Sequence, residues 1–337
     1  MKKLLLLMIL SIITLIEITN AQVVDTERGK VEFVGLNSWS VEVLVDTLRS
    51  ISPDQSLHAC AADLRFKLGF SDASAIGYFN NGELYTVITV VEPQDKVFIK
   101  YLEEPSDSLE AISEWKDIIE LIAHDFQGFR NAIQNYGRVL LDDKKSAKEN
   151  LPHWINIENV ERVWDFLLNH NSIDDMNLAL WVLNSDKNYK NRVAASSILA
   201  NFSDHDLTWW ILLDNMRYPD ARVSGTSMAV INSLSQFNPK VVNWYPARHS
   251  VQHILRGTNL FAYNTVLNIL PITGLNKELT EDLLRDGQIQ NLLRAYLGAE
   301  FQYVVDYGKR FLSTVYDKIE EEDNWQEILD HYINGKY

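Results

Sequence analysis

The sequence predicts a small α+β domain of order strand–helix–helix–strand–strand, followed by an all-α half. Three observations carry this reading. Between Lys30 and Pro93, two β-rich runs flank Asn80-Asn81-Gly82, and Asn-Gly supplies the positive φ that a tight hairpin needs. Ahead of them, two segments repeat apolar residues at the spacing of one helix face. From about Leu151 onward strand signals nearly vanish, and apolar residues recur at helical spacing between short polar breaks.

The elements follow in order. KVEFVGL, from Lys30, reads as a first strand. In the segment 40–51, Val41, Leu44, Val45 and Leu48 make one apolar face; Ser38 or Ser40 can cap it, and Ser52-Pro53 ends it. In 56–70, Leu57, Cys60, Ala61, Leu64 and Leu68 form a second stripe, and Gly69 stands where a C-terminal cap belongs. DASAIGYF, 72–79, and ELYTVITVVEP, 83–93, are the paired strands. Val87 to Val91 are mostly β-branched, which suits strand better than helix. Gln94-Asp95 reads as a turn, and Lys96 to Leu102 as one further strand.

The wording of this module resembles a POTRA (polypeptide-transport-associated) domain. Val31-Glu32-Phe33-Val34-Gly35-Leu36 is similar to that family's first strand. Leu64 to Phe70 with Ala75 to Phe79 looks like its second helix running into its second strand, and Val87 to Glu92-Pro93 like its closing strand. The resemblance covers about 65 residues and rests on apolar spacing plus Gly, Asn-Gly and Glu-Pro. It implies partners in envelope protein transport or assembly, although no membrane barrel follows. It also implies that Ala73 to Phe79 lies at a sheet edge. That strand is small and only lightly charged, so it lacks strong protection against adding another strand. Ala73, Ser74, Ala75, Ile76, Gly77, Tyr78 and Phe79 are therefore the candidate site for a protein or extended peptide partner, through strand augmentation. In Leu84 to Val91 both alternating sets are largely apolar. Two amphipathic helices cover one face only, so the second face calls for another cover, either the helical half or a partner.

Residues 1–21 read as a secretory signal peptide: Met1-Lys2-Lys3, an apolar run from Leu4 to Ile16, then a polar stretch ending in Ala21. The run is too short to favour spanning, and cleavage after Ala21 is expected. A bacterial periplasm or the extracellular space is the expected location. No second long apolar run follows, so no membrane-spanning segment is expected after signal removal. The net charge of −15 becomes −16 once Lys2, Lys3 and Glu17 leave with the signal. Such acidity argues against nucleic acid, which needs basic stripes, and against anionic membrane surfaces.

The expected division is an α+β domain over 22–105, a helical linker region over 106–150, and a helical-repeat domain over 151–337. From Glu103 to Asp125 eight carboxylates face one base, Lys116, while Leu109, Ile112, Trp115, Ile119 and Ile122 keep helical spacing. This is an amphipathic helix with a solvated acidic face. Asp142 to Asn150 is the most polar stretch and reads as a flexible connection. Beyond it, helices are expected over 159–169, 173–183, 191–201, 204–216, 220–236, 239–256, 260–271, 277–285, 288–297, 299–320 and 324–334. Asn191-Arg192-Val193 and Ala221-Arg222-Val223 each follow a Tyr-containing polar turn and precede small residues. These segments look like second helices of HEAT-type repeats, in which the Arg can bond carbonyls of the neighbouring repeat. An irregular helical bundle is the other reading.

Motifs of catalysis are absent: no H-E-x-x-H, no G-x-S-x-G, no phosphate loop and no paired-Cys metal site. Cys60 lies on an apolar stripe, with Gln55 and His58 near it, and is expected to be buried and inert. His249 and His253 share a helix face but have no acid near in sequence, and Arg248 and Arg256 flank them, so no metal is expected there. Asn201-Phe202-Ser203 fits a glycosylation sequon. Trp209 and Trp210 cannot face one side of a helix, and most of the tryptophans are expected in the core. No catalytic residue and no cofactor is assigned. The expected function is that of an exported, non-enzymatic interaction or scaffold protein. The alternative is a periplasmic hydrolase with its site in the helical half, marked by clustered, perturbed carboxylates or histidines.

Overall fold

The computed structural model describes residues 22–80, 82–109, 112–257, 259–315 and 325–333. The expected signal peptide, 1–21, lies outside the described residues, as do Asn81 of the hairpin turn and parts of the helices expected over 299–320 and 324–334. A small four-stranded mixed sheet is followed by a predominantly helical region. The chain divides into two compact units. One comprises the residues up to Val97, Arg285–Lys309 and the described residues beyond Glu321; the other comprises Phe98–Leu284 and the residues from Arg310 to Glu320. The sequence reading assigned 151–337 to one helical region, whereas Arg285–Lys309 packs in the unit that holds the sheet. Among the described residues no helix is long and apolar enough to cross a membrane.

In the first unit the sheet order is β1 (Gln22–Thr26), β2 (Gly29–Val34), β4 (Glu83–Val91), β3 (Asp72–Asn80). β2 runs parallel to β4, which is antiparallel to β3, and β1 is antiparallel to β2. β1 has no counterpart in the sequence reading. Two helices lie between β2 and β3, α1 (Val41–Ile51) and the short α2 (Ala61–Phe66), the latter preceded by a 3-10 turn over Leu57–Ala59. Ser40 caps α1, its side chain accepting from the Val43 N–H. Val31, Phe33, Ile88 and Val90 of the sheet form a core with Leu44, Leu48, Cys60 and Leu64 of this helical layer. At the end of β2, Gly35 has φ +99°, and a Cβ there would lie 2.4 Å from the Val90 carbonyl oxygen, so only glycine fits.

Glu92 locks the loop that follows β2. It is fully buried and accepts hydrogen bonds from the backbone of Asn37 (2.6 Å), Ser38 (2.9 Å) and Trp39 (3.3 Å), from the Ser38 hydroxyl and from Gln94. Burial alone would raise the Glu92 pKa; the Ser38 hydroxyl, Gln94 and the backbone donors outweigh it and hold the carboxyl below its ordinary value. The further strand expected over Lys96 to Leu102 does not form. Pro93–Phe98 is a 3-10 turn instead.

The second unit is helical. In order it holds α3 (Lys116–His124), α4 (Phe126–Leu140), α5 (Lys144–Glu149), α6 (Ile157–Asn169), α7 (Ile173–Ser185) and α8 (Tyr189–Ile198). There follow α9 (Asp206–Asn215), α10 (Ala221–Phe237), α11 (Arg248–Leu255), α12 (Leu260–Ile272) and α13 (Lys277–Leu284). The central helix is α10, which packs on α4, α8, α9 and α12. The connection expected over Asp142 to Asn150 is instead a capped helix. The Asp143 side chain accepts from the Ser146 N–H, Ala147 is buried, and Lys148 pairs with Glu161; its polar residues are cap and surface. Of the helix expected over 239–256, only Arg248–Leu255 is α-helical, preceded by a 3-10 turn with Pro246 in its first positions.

The matched segments of α8 and α10 lie side by side, with the Ser227 hydroxyl donating to Ser196 Oγ at 3.3 Å. Their arginines do not reach across to carbonyls as expected. Arg192 of α8 stacks on the ring of Tyr218, in the turn before α10, at 4.0 Å, and Arg222 of α10 on the ring of Tyr189, the first residue of α8, at 3.3 Å. Aromatic faces attract guanidinium groups, and Glu104 and Asp220 supply the counter-charges.

Close approach of α4 to α10 is set by Gly137. Its N–H donates to Ser233 Oγ at 2.8 Å, and a Cβ there would lie 2.6 Å from the Ser233 carbonyl oxygen. Gly137→Ala is expected to lower stability by about 1–3 kcal/mol through overpacking, read as a fall in the denaturant midpoint at unchanged slope.

Candidate functional site

Alternation places Ala73, Ala75, Gly77 and Phe79 on the helix-covered face of β3, and Ser74, Ile76 and Tyr78 on the other. In register, Ala73 opposes Val90, Ala75 opposes Ile88, Gly77 opposes Thr86 and Phe79 opposes Leu84. Ala73 and Ser74 are buried, Ala75, Ile76 and Tyr78 half-buried, and Gly77 exposed. Phe79 is 85% exposed. Asp72–Asn80 pairs only with β4 among the described residues, so it stands at a sheet edge. Alternate residues of this nine-residue strand present their backbone groups outward, without a charged side chain between Asp72 and Asn80; of these the Ala73 N–H donates to the Asp72 side chain at 2.9 Å. The opposite edge, β1, has five residues and carries Asp25.

The second face of the sheet is covered from within the chain. Tyr85, Val87, Thr89 and Val91 are all buried. Two helices of the same unit supply the cover, α14 (Gly287–Leu297) and the start of α15 (Gln302–Leu312). Phe301 stacks on Tyr85 with ring centroids 4.5 Å apart and on Tyr78 at 4.7 Å. Tyr303 meets Tyr78 at 5.3 Å. Tyr296 of α14 shares a hydrogen bond with Thr89.

Glu32 projects from β2 into this interface. It is buried and accepts from the Tyr85 hydroxyl (3.0 Å) and from the N–H groups of Glu300 (2.5 Å) and Phe301 (3.1 Å). Its carboxylate thus satisfies donors just ahead of α15, where negative charge is favoured. Burial pushes the Glu32 carboxyl above its ordinary range, against those hydrogen bonds. Burial, and then Tyr303, push the Tyr78 phenol up to about 12. The Tyr78 and Tyr85 phenols, both pushed up by burial, stay protonated at neutral pH and act as packing surface and, for Tyr85, as a hydrogen-bond donor. With one face under α1 and α2 and the other under α14 and α15, the two backbone edges are the parts of this sheet left open among the described residues, and β3 is the longer and less charged of them.

The cover was invisible to sequence reasoning. An apolar β4 on both sides demanded one, but no local pattern tells which distant segment supplies it. The nearest signal is the aromatic run Phe301, Tyr303 and Tyr307, whose last two members stand four apart and join hydroxyls at 2.8 Å.

The other singled-out residues have structural surroundings. Cys60 is 2% exposed, and burial pushes its thiol up to about 12, far from nucleophilic. His58 bridges Thr26 (2.9 Å) and Thr86 (2.7 Å), tying the helical layer to two strands. Burial, then Arg217 and Lys100, hold the His253 imidazole down to about 4, so it is neutral in a cationic setting. Among the described residues no group of three His, Cys, Asp or Glu converges as metal ligands do. Trp209 is buried against Trp244, while its neighbour Trp210 turns away and donates to the Asn243 carbonyl. Trp164 and Trp244 are core, but Trp154 and Trp181 are more than half exposed. No family model, curated protein or solved structure matches the chain.

Proposed function

We propose that this chain is an exported interaction protein that captures an extended protein segment along β3. In this reading the sheet unit is POTRA-like and the helical unit is a degenerate HEAT-like scaffold. The observation that carries it is the edge itself. Asp72–Asn80 is long, uncharged between its ends and paired on one side only, while both faces of the sheet are occupied by the chain's own helices. Edge strands of this kind normally carry lysine, proline or a bulge that prevents pairing; here those devices are missing and Phe79 offers an exposed apolar anchor beside the backbone. Envelope protein assembly or transport is the process that the POTRA resemblance favours.

A photoreactive amino acid at Phe79 tests this, with Val43 on the exposed face of α1 as control. Crosslinking in the native envelope is expected to give a discrete protein adduct from position 79 and none from 43. Ala75→Pro and Gly77→Pro are each expected to weaken the adduct at least tenfold, since each removes a backbone donor, while helical content is retained. An adduct that persists undiminished in a folded proline variant rules the edge out.

A further inference from the structure

The helical unit holds a cleft of about 500 Å³ between α4, α10 and the start of α12. Its lining mixes apolar residues, Met228 and Phe261 among them, with polar ones: Arg130 and Gln134 from α4, Ser224, Asn232 and Gln236 from α10, and Asn259 ahead of α12. Among the described residues that line it there is no carboxylate, in a chain whose net charge is −15. Arg130 is exposed and forms no ion pair among the described residues. The first turns of two long helices open on the same space, through Ala221 and Ser224 of α10 and Phe261 of α12. Helix N-termini carry partial positive charge, and Asp220, the cap of α10, is offset by Arg222. Both N-termini are capped, α10 by Asp220 and α12 by Asn259, so Arg130 is the one cation among the described residues that line the cleft of an acidic chain.

The floor adds an independent observation. Gly225 lies inside α10 and lines the cleft. Its backbone is helical, so no positive φ requires glycine, and a Cβ there would meet nothing within 4 Å. Gly137 is explained by close approach, but Gly225 is not. Glycine inside a helix is less stable than alanine, and what it leaves here is open floor.

The spacing of the polar groups indicates what the floor is kept open for. Arg130 and Gln134 are four residues apart on one helix, as are Asn232 and Gln236 on the other. Four residues of helix rise about 6 Å. An extended peptide presents same-side backbone groups every two residues, about 6.6 Å. Side-chain amides both donate and accept, which is what a peptide backbone requires. We propose that this cleft binds the free C-terminal end of an extended peptide, with Arg130 taking the terminal carboxylate and Gln134, Asn232 and Gln236 the backbone. This site is independent of the β3 edge and stands whether or not that edge captures a partner.

The test uses the full mature chain and two pools of random hexapeptides, one with free C-termini and one amidated, compared by affinity-selection mass spectrometry. The free-acid pool is expected to be retained at least tenfold over the amidated pool. Arg130→Gln is expected to reduce that retention about tenfold, the loss of one charge-assisted contact. Gly225→Leu, which places a side chain in open space, is expected to abolish retention with an unchanged circular dichroism spectrum. Equal retention of both pools, no retention of either, or retention that survives Gly225→Leu overturns the proposal. So does displacement of the peptides by glucuronate at lower concentration than by acetyl-trialanine, which makes the cleft a sugar-acid site.

Discussion

A fragment of residues 22–105 is expected not to form the native sheet unit, although it holds all four strands and both of the helices between β2 and β3. Without α14 and α15 the fragment exposes Tyr85, Val87, Thr89 and Val91 on one face, and leaves the buried Glu32 without its Glu300 and Phe301 donors. Truncating a single buried aromatic costs about 3–5 kcal/mol, and whole domains are stable by only about 5–15 kcal/mol. Losing Tyr296 and Phe301 together with the capped carboxylate is therefore expected to remove most of the stability. The fragment should bind a hydrophobic dye and give a collapsed amide NMR spectrum. A fusion of residues 22–97 to 285–312 through a flexible linker should restore dispersed resonances. A dispersed, native-like spectrum from 22–105 alone would show that the C-terminal cover is dispensable.

Glu92→Ala is the single substitution expected to cost most in this unit. It strips the acceptor from the backbone N–H groups of Asn37, Ser38 and Trp39 and from two side chains. Removing one partner of a buried charged hydrogen bond costs about 3–5 kcal/mol, and a loss of that size is expected in urea unfolding. The same group sets a pH dependence. The folded carboxyl titrates below its ordinary value of 4.5, so folding favours the charged form. Its stabilisation is complete above pH 4.5 and is lost as pH falls from there through the folded value. Glu92→Gln should flatten this acid limb, and an unchanged limb would assign acid unfolding to other carboxylates.

Much of this architecture was legible in the residues. Val41, Leu44, Val45 and Leu48 marked the first helix face, and Leu44, Val45 and Leu48 are buried as spaced. The hairpin pairs Asn80 with Glu83 across the expected turn, with Gly82 at φ +89°. Boundaries moved where caps decided them, as at Asp143, whose side chain starts a helix in a stretch that composition reads as loop. What was not legible is long-range. β1 is only five residues with a charge in it, and its pairing with β2 comes from a tight turn rather than from periodicity. Nothing local to Glu32 marks it as buried; Tyr85 and the Glu300 and Phe301 N–H groups, far along the chain, make it a buried acceptor. The edge position of Ala73 to Phe79 came from the POTRA resemblance; the sheet order places those residues there. The cleft under Gly225 gave no signal at all, because amides and hydroxyls on a helix look like ordinary solvated surface.

The discontinuous build of the sheet unit also fixes an order of events during synthesis. A ribosome releases the strands well before Arg285–Lys309. Until that segment emerges the sheet therefore has an uncovered apolar face, and its long-range contacts close only then. Contacts of such sequence separation form slowly, and the exposed intermediate is prone to association. A chain whose sheet cannot finish folding until Arg285–Lys309 arrives keeps that unit open and part-folded while the whole helical stretch between them is being made.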